Sequence, residues 1–274
     1  MKFSNRLFLY GPFGLVVALG LAVAIHWWIE AGAWGARIAA LNNREIAPGI
    51  TLHYKTSKVG GFPFRYDTTF TGFRLSLAGP RALSWSAAEF AMHRLSYGSS
   101  KYVFEAGGKQ TLSWKDGDGT SRQFSFLPGS IRADAIIAEG RLARFDMVLV
   151  AFDSASATAA RIETHLRHDP LADALQAVTF AQALTTKTGA KPTDPHITIS
   201  VTAARALNGL LSGQQDWRAA AEHWRKAGGE IRLISPNAEG IDVSGTIKLD
   251  PSHRLTGVLP PPFADTGAKR APLY

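Results

Sequence analysis

The stretch VGGFPFRYDTTFTGFRL, residues 59–75, decides the fold that we expect for this chain. After two glycines, large side chains occupy every second position, which is the period of a β-strand. The residues predicted to share one strand face are Phe62, Phe64, Tyr66, Thr68 and Phe70. The next large residue, Phe73, is at an odd position, and one extra residue at Thr71–Gly72 would return it to the same face. We therefore predict a long strand with a β-bulge, as strongly curved sheets contain.

Most of the remaining chain has the same two-residue period. Turn residues at 116–119 (DGDG) and at 139–140 (EG) predict two β-hairpins. Further strands are predicted over residues 50–54, 83–91, 94–97, 102–106, 110–115, 122–127, 131–138, 142–152, 157–167, 197–201, 230–234, 241–249 and 254–259. This number of strands indicates a mainly antiparallel sheet.

Two segments of the soluble region have helical spacing instead. Residues 170–186 begin with a proline, which suits a first helical position. Residues 214–227 place Trp217 and Trp224 seven positions apart on one face and end at two glycines. We predict a mainly β (α+β) domain over residues 33–259, with one or two helices packed on a curved antiparallel sheet. Residues 260–274 are predicted to be a disordered tail.

The N-terminal segment is predicted to cross a membrane. Residues 7–29 carry no acidic or basic side chain except His26 and would span about 34 Å as a helix. Lys2 and Arg6 precede the segment, so the positive-inside rule places residues 1–6 in the cytoplasm and the rest across the membrane. Two alternatives stay open, namely a signal peptide cleaved at Ala31-Gly32-Ala33 and a buried helix of a soluble protein.

Composition limits the partners and the chemistry. The net charge of +8 favours anionic partners such as phospholipid, lipopolysaccharide or nucleic acid. The basic residues are scattered and the domain would be exported, so we expect no nucleic-acid partner. The chain contains no cysteine, which excludes disulfides, cysteine-based zinc sites and a cysteine nucleophile.

No catalytic or cofactor motif is present, so we predict neither an enzyme nor a cofactor. His165 and His168 lie three apart on a predicted strand, where they would face opposite ways and could not share a metal. The acidic run at 116–119 lacks the spacing and the closing glutamate of a calcium loop, so the hairpin interpretation is favoured. No metal site is predicted.

The aromatic strip has two interpretations. It is either the core face of a strand or part of an apolar groove that takes an acyl chain. In the second case the ligand-binding residues would be those of the strip, namely Phe62, Phe64, Tyr66, Phe70 and Phe73.

Three segments, in this order after the N-terminal anchor, carry a resemblance to a known family: GGFPFR at 60–65, WRKAGGEIRL at 224–233 and GIDVSGTIKLDPSHRLTGVL at 240–259. Over residues 33–259 the chain resembles domain of unknown function 2125, an uncharacterised family of Gram-negative bacteria. That family looks related to AsmA-like envelope proteins, which have an inner-membrane anchor and a periplasmic, groove-forming sheet. The resemblance implies an inner-membrane, single-pass protein with its bulk in the periplasm. It supplies no functional residues.

These observations lead to three functional hypotheses. The first is a non-enzymatic, inner-membrane-anchored periplasmic protein that binds lipid or serves envelope homeostasis. The second is a scaffold that binds other envelope proteins through a sheet edge or through the helix of Trp217 and Trp224. The third is an envelope hydrolase, which would need acid, base or metal groups converging in one cleft.

Overall fold

A computed structural model describes residues 5–79, 82–98, 100–189, 191–236 and 242–259. In these ranges the chain forms an N-terminal helix, one large antiparallel sheet and a short helical segment. The predicted mainly β fold with packed helices is confirmed. The predicted disordered tail at 260–274 lies outside the described residues.

The helices are α1 (Asn5–Leu41), α2 (Asn208–Leu211) and α3 (Trp217–Lys226), and a 3₁₀ turn covers Ala204–Leu207. The strands are β1 (Arg44–Ala47), β2 (Ile50–His53), β3 (Thr56–Gly60), β4 (Arg65–Leu77), β5 (Ser84–Leu95), β6 (Lys101–Lys115), β7 (Ser121–Leu127), β8 (Ser130–Ala138), β9 (Arg141–Ser154), β10 (Ala157–Asp169), β11 (Ala174–Gln182), β12 (Thr185–Thr186), β13 (His196–Thr202), β14 (Ile231–Pro236), β15 (Asp242–Leu249) and β16 (Leu255–Val258).

The strands pair in the order β1-β2-β4-β5-β6-β7-β9-β10-β11-β13-β14-β15-β16. Three strands lie beside this path: β3 pairs with β4, β12 pairs with β10, and β8 pairs with both β6 and β9. The long strand β6 therefore has two partners on one side, β8 along its first half and β7 along its second. Both predicted hairpins are present, as β6–β7 and β8–β9.

Two pairs of predicted strands are each one continuous strand. The segments predicted at 83–91 and 94–97 form β5, and those at 102–106 and 110–115 form β6. In β6 the two glycines between the predicted segments are absorbed by an irregularity in its pairing with β5. A glycine pair that resembles a chain break in the sequence is thus a bend within a strand.

The helix predicted over residues 170–186 is wrong. This segment forms a turn and strand β11, which hydrogen-bonds to β10 on one side and to β13 on the other. Val178, Thr179 and Phe180 favour a strand, and pairing along both edges satisfies the backbone of the whole segment. Tertiary pairing has overridden a weak helical pattern, as commonly happens for short apolar runs.

The predicted change of face at Thr71–Gly72 is present, but its form differs from a simple bulge. Phe70 and Phe73 are both buried in one cluster, while Thr71 and Gly72 are exposed. The register of β4 against β5 is nevertheless continuous, and the two-against-one irregularity lies one strand further, between β5 and β6. Strands β4 and β5 therefore change the face of their side chains at the same level, so the pairing between these two strands stays regular.

Helix α3 confirms the prediction for residues 214–227, with a shorter extent. The Asp216 side chain accepts hydrogen bonds from the backbone N–H groups of Arg218 and Ala219, a typical N-terminal cap. Trp224 is buried, and its indole N–H donates to the Thr202 carbonyl at 2.7 Å. Because Trp224 lies in the core, it does not supply the exposed binding surface that the scaffold hypothesis assigned to this helix.

Candidate functional site

The aromatic strip faces the last part of helix α1. The Trp27 ring meets Phe62 edge-on at 5.4 Å and lies 6.2 Å from Tyr66, and the Trp34 ring stacks on Tyr66 at 6.2 Å. Two indole N–H groups add hydrogen bonds, from Trp27 to the Arg65 carbonyl at 3.0 Å and from Trp34 to the Thr68 hydroxyl at 2.9 Å. The strip therefore fixes the helix to the sheet.

Helix α1 also packs on the sheet beyond Tyr66, through Ile38. Ile38 is buried with Tyr54, Phe70 and Phe73, and the Tyr54 hydroxyl donates to the Ile38 carbonyl at 2.9 Å. The face of the sheet that carries Tyr66, Phe70 and Phe73 is called the inner face below. Three of the five candidate residues thus belong to the core beneath α1.

The other two candidate residues are not in a strand. Phe62 and Phe64 lie in the turn before Arg65, where β4 begins, so the strand predicted from Phe62 starts three residues later. Their side chains are 53% and 64% exposed. Tyr97, which follows the neighbouring end of β5, is 62% exposed. These three exposed rings form a group at one end of the sheet, and we call it the aromatic end.

The aromatic end lies beside the apolar part of α1. Phe62 contacts Trp27, and Trp28 next to it is 73% exposed. From Tyr10 to Ile29 the apolar side chains of α1 are largely exposed, which argues against the buried-helix alternative for this segment. Helix α1 is long and apolar enough to cross a membrane.

An apolar pocket opens on the inner face, further along the sheet from the strip. Its volume is about 450 Å³, and side chains from six strands surround it. It is lined by Leu75, Trp85, Phe90, Phe104, Glu105, Ala106, Leu112, Phe126, Ile131, Ala133, Phe145, Met147 and Leu149. Glu105 is the one charged residue of this lining, and its carboxylate contacts Arg132 and His93, each at 3.7 Å. The remaining walls are apolar.

Stacked rings connect the strip to this pocket. Phe73 stacks on Phe90 at 3.9 Å, and Phe90 lies 5.7 Å from Trp85 and 6.1 Å from Phe104. Phe73 is part of the core under α1, whereas Phe90, Trp85 and Phe104 line the pocket. Helix α1 and the pocket are therefore joined through one continuous aromatic core.

Gln110 supports a wall of the pocket, and the sequence did not reveal this role. It is fully buried, its side-chain oxygen accepts from the Trp85 indole N–H at 3.0 Å, and its amide donates to the carbonyls of Gly107 and Gly108. It thereby satisfies the backbone at the irregularity in β6 and orients a pocket wall. The sequence signal that could have indicated this role is a polar residue at a core position shortly after two glycines.

The two candidate histidines are not brought together. The two ring nitrogens of His165 lie 2.8 Å from an Asp146 carboxylate oxygen and 3.1 Å from a Glu163 carboxylate oxygen, in a charged row that also includes Arg144 and Arg167. His168 lies three positions along the same strand and faces the other side. No group of three or more metal-binding side chains occurs in the part of the chain that the structure describes.

Charges near the strip shift one ionisable group. Burial raises the pKa of the Tyr66 phenol, and the Glu30 carboxylate of α1 raises it further, while Arg94 and Arg37 act in the opposite direction. Tyr66 therefore stays protonated and neutral under the helix.

Comparison with known proteins identifies a family and nothing more specific. No curated protein and no solved structure matches the chain. A family model matches residues 27–265, so the match begins at Trp27, where α1 starts to pack on the sheet. The chain therefore belongs to the family of domain of unknown function 2125 (DUF2125), which is described as an uncharacterized protein conserved in bacteria.

Proposed function

We propose that this protein is a non-enzymatic, membrane-anchored factor of the bacterial cell envelope that binds a lipid acyl chain in the inner-face pocket. The observation that carries the proposal is a pocket of about 450 Å³ whose walls are apolar apart from Glu105. Ligand pockets commonly have volumes of about 300–1,000 Å³ and mainly apolar linings. An acyl chain needs such a lining and no charged partner along its length.

The position of the anchor supports the same proposal. Helix α1 packs on the inner face through Trp27 and Trp34, so the proposed membrane span is attached to the sheet that carries the pocket. In this arrangement the aromatic end meets the bilayer surface, where tryptophan, tyrosine and phenylalanine rings are stable. The N-terminus is cytoplasmic and the sheet is periplasmic, in keeping with Lys2 and Arg6 before the span. The resemblance to AsmA-like envelope proteins favours this placement.

The test is lipid mass spectrometry of the full chain, extracted gently from its native membrane. Ala133 is buried in the pocket wall, so Ala133→Phe would fill part of the pocket. Ala172 lies exposed in the turn before β11, so Ala172→Phe adds the same ring away from the pocket. We expect bound lipid in the wild type and in Ala172→Phe, and a severalfold loss in Ala133→Phe.

Circular dichroism would establish that both variants keep the sheet. Equal lipid in the two folded variants would contradict binding in this pocket. No lipid above the detergent background in the wild type would contradict lipid binding altogether and favour the scaffold hypothesis.

A further inference from the structure

Arg94 occupies a position on the inner face that neither its burial nor its ion pairs explain. Its guanidinium lies over three aromatic rings, at 4.8 Å from Trp34, 5.9 Å from Tyr66 and 5.8 Å from Tyr102. Among the described residues no carboxylate oxygen lies within ion-pair distance of it, and its hydrogen bond to the Leu95 carbonyl is long, at 3.4 Å. Most of the donors of this guanidinium are thus free for a ligand.

The register places Arg94 between the aromatic end and the pocket. Tyr66, Arg94 and Tyr102 are direct neighbours across β4, β5 and β6. Phe104 of β6 lies two residues from Tyr102 on the same face of the sheet. Phe90 of β5 lies four residues from Arg94 on that face. Both phenylalanines line the pocket. At about 3.3 Å per residue, Arg94 lies roughly 13 Å along its strand from Phe90.

The level of Arg94 relative to the membrane follows from α1. Its neighbour Tyr66 is adjacent to Arg65, whose carbonyl accepts the Trp27 hydrogen bond. Trp27 is at the end of the exposed apolar part of α1. With the membrane span ending at Trp27, Arg94 would lie at the height of the bilayer phosphate groups, and the pocket would lie farther from the membrane.

Building on the proposed function, we propose that Arg94 binds the phosphate of a phospholipid whose acyl chain lies in the inner-face pocket. Arginine presents a planar set of donors that matches a phosphate, and its hydrogen bonds to phosphate are charge-assisted. The rings of Trp34, Tyr66 and Tyr102 hold the guanidinium in place, so little side-chain freedom is lost when the phosphate binds. The Glu30 carboxylate and the Arg37 guanidinium of α1 also act on Tyr66, so one negative and one further positive charge lie near the site.

The experiment compares two lipids with the same chains, dioleoyl phosphatidylglycerol and dioleoylglycerol, which lacks the phosphate. Each is titrated into the delipidated full chain in detergent, and bound lipid is counted by native mass spectrometry. We expect the wild type to prefer the phospholipid by about tenfold, the size typical of a charge-assisted hydrogen bond. Arg94→Gln should bind both lipids equally, and Arg94→Lys should retain part of the preference.

Arg94→Met is the second variant, since it keeps an apolar stem against Trp34 if Arg94→Gln does not fold. Arg74→Gln is the matched control, because Arg74 is exposed and lines a different pocket with His53 and Lys55. It removes the same charge and should leave the preference unchanged.

The role of Arg94 would be overturned by no preference in the wild type, by an unchanged preference in folded Arg94→Gln or Arg94→Met, or by an equal loss in Arg74→Gln. Displacement of the phospholipid by equimolar glycerol phosphate would also overturn it, since the site would then serve a soluble anion. If the wild type binds neither lipid, the proposed function itself fails. Binding of both lipids without preference would leave the pocket proposal standing and remove only the headgroup site.

Discussion

Trp34 Nε1 donates a 2.9 Å hydrogen bond to Thr68 Oγ1, and this bond joins helix α1 to the centre of the aromatic strip. Thr68 is fully buried between Tyr66 and Phe70, so its hydroxyl is out of contact with water. A polar contact inside an aromatic interface fixes the position of a helix more strictly than ring packing alone, because only one geometry satisfies both groups.

Replacing this acceptor should destabilise the protein. Thr68→Val keeps the shape of the side chain but leaves the Trp34 indole N–H without a partner, which typically costs about 1–3 kcal/mol. Thr69→Val is the control, because Thr69 is exposed on the other face of the same strand. Urea unfolding in mild detergent, followed by tryptophan fluorescence, would measure both. Equal midpoints for the two variants would show that the bond contributes nothing.

The anchor helix should remain attached in the mature protein. Cleavage after Ala33 would remove Trp27 and Ala31 from the buried cluster that they form with Tyr66. We therefore expect the intact mass of protein purified from its native membrane to include residues 7–29. A mass that begins at residue 34 would establish the signal-peptide alternative and would imply a different packing for the strip.

Gln110 should matter for stability despite its distance from the anchor. Gln110→Leu keeps much of the volume but removes the acceptor of the Trp85 indole and the donor to Gly107 and Gly108. We expect a loss of about 2 kcal/mol or more in the free energy of unfolding. Gln123→Leu, at an exposed position in β7, should stay within about 0.5 kcal/mol of the wild type. A wild-type midpoint for Gln110→Leu would contradict this role.

The charged row around Asp146 predicts a pH dependence of stability. Partial burial acts to raise the pKa of Asp146, but hydrogen bonds from His165, Arg167 and Arg144 outweigh it and hold that pKa well below the usual range. A lowered pKa stabilises the fold above the ordinary value of about 3.9, and this contribution is lost as the pH falls below it. Asp146→Asn should therefore be less stable than the wild type at pH 7, and the gap should narrow between about pH 4 and pH 2. An unchanged gap in urea midpoints across that range would contradict the assignment.

The aromatic end should contact the bilayer. The chain has no cysteine, so a single introduced cysteine can be labelled with an environment-sensitive dye. In liposomes we expect the dye at Phe64→Cys to emit at shorter wavelength and to resist iodide quenching. The control is Asp118→Cys in the β6–β7 turn, at the opposite end of the sheet, which should remain fully quenchable. Equal quenching at both positions would place the aromatic end in water.

The residue pattern within one segment was sufficient to predict those elements whose structure that segment alone determines. The alternation of β10, the two hairpins and the apolar length of α1 are each encoded within about fifteen to thirty residues, and the structure has them as predicted. It was insufficient at residues 170–186, because a short apolar run fits a helix or a strand and only pairing with β10 and β13 decides between them. The prediction that the strand begins at Phe62 was wrong for a related reason. The alternation of large side chains, including Phe62 and Phe64, continues into the turn that precedes β4.

The sequence by itself determined a β-rich domain behind an apolar helix, because periodicity and apolar length are properties of the chain alone. Tertiary structure decided what the aromatic strip faces, since Trp34 and Thr68 are 34 residues apart and no periodicity links them. It also decided the pocket, whose walls come from six strands between Leu75 and Leu149. Each of those residues resembles an ordinary core position in the sequence, and a cavity exists only where their side chains leave space between them in the folded sheet.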